Sequence, residues 1–345
     1  MESSLHLEIM LSMRLFVEFA LASTIAVMAA GPPVAEISNG KISATVYLPD
    51  PMNGFYQGTR FDWSGVVRSL EANGHSYYGP WFTKRSETVR DFIYDGEDIV
   101  AGPCSSTMGP ADEFRPLGYA AAKPGGTFVK VGVGILKRVD EKAYDAWRLY
   151  PIADHGQWSV KRKGDSIEIL QILSDGSSGY GYEYRKTLRL VKGNTGMELA
   201  HSLKNIGRNA IETQVYNHNF LVIDGKGPQA GTTIMLPFAV STERKPNPEL
   251  AAIEGNKVIY KKTLTGEDVV SFPITGFGDA ASDHEIRVEN SALKAGMRIR
   301  GDKPLKSVNL WSIRSNVSVE PFVAVSVAPG KEFRWTTSYH YYSIP

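Results

Sequence analysis

Lys41-Ile42-Ser43-Ala44-Thr45-Val46-Tyr47-Leu48 alternates polar and apolar side chains at almost every step. Successive side chains of an extended strand point to opposite faces, so a period of two reads as a half-buried strand. The same rhythm returns in Thr127-Phe128-Val129-Lys130-Val131-Gly132-Val133-Gly134-Ile135-Leu136. It also marks strands over 166–174, 180–191, 197–204, 211–217, 232–239, 306–314, 321–328 and 332–342. Turn signals fall between them, among them Asn53-Gly54, Asn73-Gly74, Lys163-Gly164-Asp165, Lys192-Gly193-Asn194 and Pro329-Gly330. Only 141–147 and 247–253 leave room for short helices. No linker, charge run, composition shift or internal repeat divides the chain. The reading is one large antiparallel all-β domain with its strands in two or more packed sheets.

The composition supports a folded core. A hydrophobic fraction of 42% and a charged fraction of 22% exclude long disorder. With 38 Lys and Arg against 37 Asp and Glu, no positive surplus is available to hold nucleic acid. Cys104 is the single cysteine, which rules out an intramolecular disulfide and a thiolate metal cage. The sequence contains no His-Glu-x-x-His, Cys-x-x-Cys, calcium loop, Gly-x-Ser-x-Gly elbow or phosphate-binding loop, so neither a cofactor nor a dedicated metal is expected. Gly132-x-Gly134 lies in a strand pattern rather than at a strand-to-helix turn, which removes a nucleotide site.

Residues 13–30 carry Arg14, a mostly apolar run and small residues around Val27-Met28-Ala29. The run is shorter than the ~20 residues that span a bilayer, and it has the order of a signal peptide. Glu18 interrupts it, and residues 1–12 read as an upstream extension. The expectation is a signal peptide over 1–30 and a single folded domain over 37–345. The product would be periplasmic or secreted, with no stable membrane anchor after processing.

Residues 76–126 are the least periodic part of the chain and hold Tyr77, Tyr78, Trp81, Phe82, Arg85 and Arg90. A long aromatic insertion in a β scaffold reads either as the wall of a sugar cleft or as a satellite core under a loop. In the first case Trp81 stacks on the apolar face of a sugar ring.

Three segments taken together resemble the galactose-mutarotase-like (aldose 1-epimerase-like) family. They are Gly58-Thr59-Arg60-Phe61-Asp62-Trp63-Ser64-Gly65, Thr213-Gln214-Val215-Tyr216-Asn217-His218-Asn219-Phe220, and Glu320-Pro321-Phe322 followed by Ala328-Pro329-Gly330-Lys331-Glu332-Phe333. Their order and spacing agree over roughly residues 37–342. The resemblance implies a β-super-sandwich, with His218 as catalytic acid, Glu320 as catalytic base and Arg60 near the sugar. One departure is that Tyr78-Gly79-Pro80-Trp81 stands where galactose-specific members show a His-Gly pair. The acid used against sugar hydroxyls has only loose counterparts in Asp279 and Asp283.

An isomerase needs a base for the anomeric hydroxyl and an acid for the ring oxygen, and a carboxylate and an imidazole suffice. Asn217 and Asn219 flank His218 and join Arg60, Trp81 and Lys130 as candidate substrate-binding residues, although strand alternation sets both asparagines on the face opposite His218. A surface ion pair between Arg60 and Asp62 is an alternative for that arginine. The expected partner is a small sugar or oligosaccharide. Two other readings stay open. One is a lyase on an acidic oligosaccharide, using Arg60 or Lys130 against a uronate and His218 or Tyr119 as proton carrier. The other is a binding module that keeps the cleft and has lost catalysis.

Overall fold

The structure, a computed structural model, describes residues 31–345, so the signal-peptide expectation over 1–30 lies outside the described residues. The largest sheet has ten strands and centres on Tyr180–Leu190, Gly196–Asn205 and Glu332–Ser343. Its members alternate buried and half-buried residues, as a sheet with one face on a core must. A five-stranded sheet runs in the order Val270–Ile274, Ser307–Ile313, Asn316–Val327, Ile211–Phe220, Gly109–Phe114. One face of this sheet packs on the large sheet. Leu310, Val319 and Phe272 join Leu199, Met297 and Tyr339 in one apolar cluster, and Phe114, Val215 and Val323 join Tyr184, Leu203 and Trp335 in another. Pro32–Pro345 is a single compact unit. Two stacked antiparallel sheets make it an all-β sandwich.

Several boundaries differ from the sequence reading. The run 127–136 is two strands, Thr127–Lys130 and Gly134–Lys137, joined by a turn. Gly132 makes the turn with φ +77°, and a Cβ there would lie 2.3 Å from Asp62 Oδ1. Residues 141–147 form turns and irregular backbone, and 247–253 lead from a turn into the strand Ala251–Glu254, so neither segment is helical. The strand expected over 232–239 is Thr232–Met235, with Pro237, which has no N–H to pair, just beyond it. The strand expected to start at Pro321 starts at Asn316, which puts Glu320 inside it.

Pro321 has a local effect on the sheet. Pairing between Ile211–Phe220 and Asn316–Val327 runs from Ile211↔Val327 to Tyr216↔Phe322, and the chains meet again only at Leu221↔Val317. Proline cannot donate to a ladder, and the two chains part beside it. The Asn219 side chain spans the gap, donating from Nδ2 to the Val319 carbonyl at 2.8 Å.

Candidate active site

The outer face of the five-stranded sheet is the floor of a cleft of about 750 Å³. Register sets the floor residues side by side: Glu113 opposite Tyr216, Tyr216 opposite Phe322, and Asn309 opposite Glu320. His218 follows Tyr216 by two residues and so shares its face. The ring of His218 lies over the unpaired gap. Nε2 is 3.0 Å from Glu320 Oε1, and Nδ1 is 2.7 Å from Ser318 Oγ. Phe220 stacks on the imidazole with centroids 3.7 Å apart, while Phe61 and Trp311 meet it edge-on. These contacts fix the plane of the ring, which still borders the cleft.

Burial governs the proton affinities of the pair. It pushes Glu320 up to about 7, opposed by the Arg60 charge and reinforced by Glu113. Burial, and then the Arg60 charge, hold His218 well below the ordinary histidine value. Each group is therefore biased toward its neutral form, and between their two transitions the pair holds one proton in common.

Beside the pair sits a second charged group. Arg60 Nε donates to Glu113 Oε2 at 2.8 Å, and Arg60 Nη2 donates to Tyr216 Oη at 3.0 Å. Tyr216 Oη donates to the same Glu113 oxygen at 2.5 Å, and Lys130 Nζ lies 3.6 Å from Glu113 Oε1. Burial opposes ionisation of Glu113, but Arg60 and Lys130 outweigh it and hold its carboxyl below the usual range. Burial brings Lys130 down to about 8, offset in part by Glu113. Its ammonium donates to Tyr144 Oη at 2.7 Å.

The structure brings His218, Glu320 and Arg60 to one cleft, and Trp81 touches it. Trp81 is only 2% exposed, with one face offset-stacked on Phe220 and its indole N–H given to the Thr107 carbonyl. It packs at the side of the cleft, in the apolar cluster with Phe220, Phe92 and Trp311, and offers no open face to a sugar. The half-buried cleft aromatics are Tyr144, Trp147 and Trp311.

Lys130, Asn217 and Asn219 do not line the cleft, which corrects their reading as sugar contacts. Lys130 stops at Glu113 and Tyr144. Asn217 and Asn219 face the space between the sheets, as their alternation with His218 requires. There Asn217 Nδ2 donates to Asp112 Oδ1 at 2.9 Å, and Tyr339 Oη donates to Asn217 Oδ1 at 2.5 Å and to Asn219 Oδ1 at 2.9 Å. Lys186 Nζ pairs with Asp112 at 2.7 Å and with Asp62 at 3.3 Å. Asp62 is thus committed to the interior, and the ion pair considered for it with Arg60 does not form. Tyr119 is also outside the cleft, buried and donating to the Lys142 carbonyl. Within the segment 76–126, Trp81, Phe82 and Phe92 pack as a core, as one of the two readings has it, while Arg90, Asp91 and Ser105 reach the cleft.

The sequence reading missed Glu113, Tyr216, Asn309 and Ser318. Two of them were open to the alternation argument, since Tyr216 and Ser318 stand two residues from His218 and Glu320.

No family model and no curated protein matches the sequence. Solved structures do match the fold. A candidate aldose 1-epimerase from Escherichia coli K12 superposes with a TM-score of 0.53 at 14% identity, covering 91% of this chain and 100% of that one. An aldose epimerase homologue from C. elegans gives 0.52 at 12%, covering 91% and 100%. A galactose mutarotase-like protein from Lactobacillus casei ATCC 334 gives 0.51 at 11%, covering 90% and 100%. The domain has the galactose-mutarotase-like fold, a single β-super-sandwich. The three structural neighbours above carry aldose epimerase or galactose mutarotase-like names.

Proposed function

We propose that the protein is an aldose 1-epimerase-type isomerase that interconverts sugar anomers by acid/base ring opening. The observation that carries this reading is the buried His218–Glu320 pair, 3.0 Å apart on the floor of a cleft sized for a sugar. The fold likeness supports it, and fold alone does not fix activity.

The proton count closes over one cycle. In the competent form the shared proton is on His218, and Glu320 is a carboxylate. Glu320 takes the proton of the anomeric hydroxyl, the bond from C1 to the ring oxygen breaks, and His218 gives its Nε2 proton to that oxygen. The pair now holds its single proton on Glu320, and the sugar is an open-chain aldehyde. After rotation about C1–C2 the ring oxygen attacks the other face of C1. His218 recovers its proton and Glu320 returns the other to the new anomeric hydroxyl. Both protons are then back on their starting groups and the site resets without bulk water. Moving the shared proton from Glu320 to His218 across the 3.0 Å contact makes the competent form. Ser318 and Phe220 hold the imidazole plane, and Arg60, fixed by Glu113 and Tyr216, presents a charge beside the carboxylate.

The apolar run at 15–28 is the ground for placing this activity in the periplasm or medium. The deciding assay is polarimetry on freshly dissolved α-anomers, run beside ultraviolet absorbance for unsaturated uronates. Faster rotation decay without absorbance is expected. Absorbance growth would mean a lyase, and saturable binding with neither signal would mean a binding protein.

A further inference from the structure

The cleft holds more positive charge than its own carboxylates use. Arg60 is paired with Glu113 and also lies 4.0 Å from Asp91, which accepts from Ser105 Oγ. Arg90 is paired with Asp145 at 2.6 Å, and Glu320 with His218, so the four cleft carboxylates all have partners. Arg115, Lys142 and Arg244 also line the cleft, are exposed, and make no ion pair among the described residues. Their backbones are tied down. The Arg115 amide donates to the Gln214 carbonyl at 3.1 Å, the Lys142 amide to Asp140 Oδ1 at 3.1 Å, and the Arg244 amide to Thr242 Oγ1 at 3.2 Å. Arg115 follows Glu113 by two residues and so leaves the strand on the cleft side. Its charge reaches the buried floor, where it helps to lower Lys130.

From this surplus we infer that the site takes a sugar carrying an anionic substituent, with Arg115, Lys142 and Arg244 receiving the anion at the mouth while the anomeric carbon meets His218 and Glu320. The inference rests on the isomerase reading for the inner end of the sugar only. The carboxylates of the cleft already have partners, so the three unpaired cations at its mouth are the charges left to attract a counter-charged ligand, and a guanidinium fork matches a carboxylate or phosphate. The two cations first considered for a uronate, Arg60 and Lys130, are both spent on Glu113, so the free charge is at the rim instead.

Calorimetric binding to the full chain, in a Glu320→Gln background that stops turnover, tests this with D-galactose, D-galacturonate and D-galactose 6-phosphate. At least one charged sugar is expected to bind about tenfold or more tighter than galactose, and added salt should erode that ratio. The triple variant Arg115→Gln, Lys142→Gln, Arg244→Gln should bring the ratio toward one, and the single Arg115→Gln should lower it in part. Preference for the carboxylate or for the phosphate identifies the anion. Equal affinity for neutral and charged sugars, or a ratio insensitive to salt and to both variants, overturns the inference. A charge-dependent ratio without any change of optical rotation by the unsubstituted protein leaves this inference standing and removes the isomerase reading. Rotation decay without a charge preference does the reverse.

Discussion

His218 Nε2 and Glu320 Oε1 lie 3.0 Å apart across a stretch where the two strands that carry them are unpaired. The gap opens at Pro321 and closes at Leu221↔Val317, and the imidazole rests over it between Ser318 and Glu320. The two side chains therefore belong to one sheet, and their spacing is set by register more than by loop conformation.

Replacing either partner should stop ring opening. Glu320→Gln keeps shape and hydrogen bonding but cannot take a proton, and His218→Asn cannot donate one to the ring oxygen. Each is expected to lower kcat by about 10² or more, with sugar binding to Glu320→Gln retained. The double variant should lose less than the product of the two, because both residues serve one step. Polarimetric rates and calorimetry check both statements, and full activity in both single variants would refute the assignment.

The rate should be bell-shaped in pH, with limbs that belong to the pair. Above about 7 the shared proton leaves, because Glu320 is the group displaced upward, and the rate falls. The acid limb lies well below the ordinary histidine value, where a second proton enters. A profile of kcat still rising at pH 8 would contradict the one-proton state.

Stability should respond to the same group. The folded Glu320 holds its proton to about 7, against an ordinary value of 4.5. A raised native value gives stability that is complete below 4.5 and is lost as pH climbs through 7. The loss amounts to at most about 3 kcal/mol for a shift of this size. Glu320→Gln should therefore unfold at higher urea than the unsubstituted protein at pH 8, with the difference shrinking toward pH 5. An equal difference at both values would mean that the charge is not what matters.

Asn217→Ala is expected to cost about 1–3 kcal/mol in urea unfolding, because Asp112 Oδ1 and Tyr339 each lose a buried partner. Once folded, its KM should stay close to that of the unsubstituted protein. A large rise in KM with unchanged stability would return Asn217 to the substrate.

Gly132→Ala puts a Cβ at positive φ against Asp62. A loss of about 1–3 kcal/mol or more is expected, and an unchanged denaturation midpoint would contradict the packing described.

Most of the scaffold was legible because its strands carry one buried and one wet face, which writes a period of two into the sequence. That signal fails where both faces are covered. Gly109–Phe114 is buried at all six positions, so the strand bearing Glu113 shows no alternation and reads as part of an irregular insertion. Pro321 misplaced a boundary for a different reason. Prolines are scarce inside sheets, and this one sits inside at the point where the pairing with the neighbouring strand ends. His218 and Glu320 were visible through the family-like segments. The asparagines were misread by proximity in sequence, although the period-two argument already set them on the other face.

The split between the two faces of the strand Ile211–Phe220 bears on how this site can change over time. A slip of a single residue would send the imidazole between the sheets and bring an asparagine to the cleft, losing the chemistry with every side chain still present. An insertion or deletion of one residue within this strand should therefore separate His218 from Glu320. The rim loops that carry Arg115, Lys142 and Arg244 can lengthen, shorten or exchange charge without moving the pair. New specificities on this scaffold should arise at the mouth, over a floor that stays fixed.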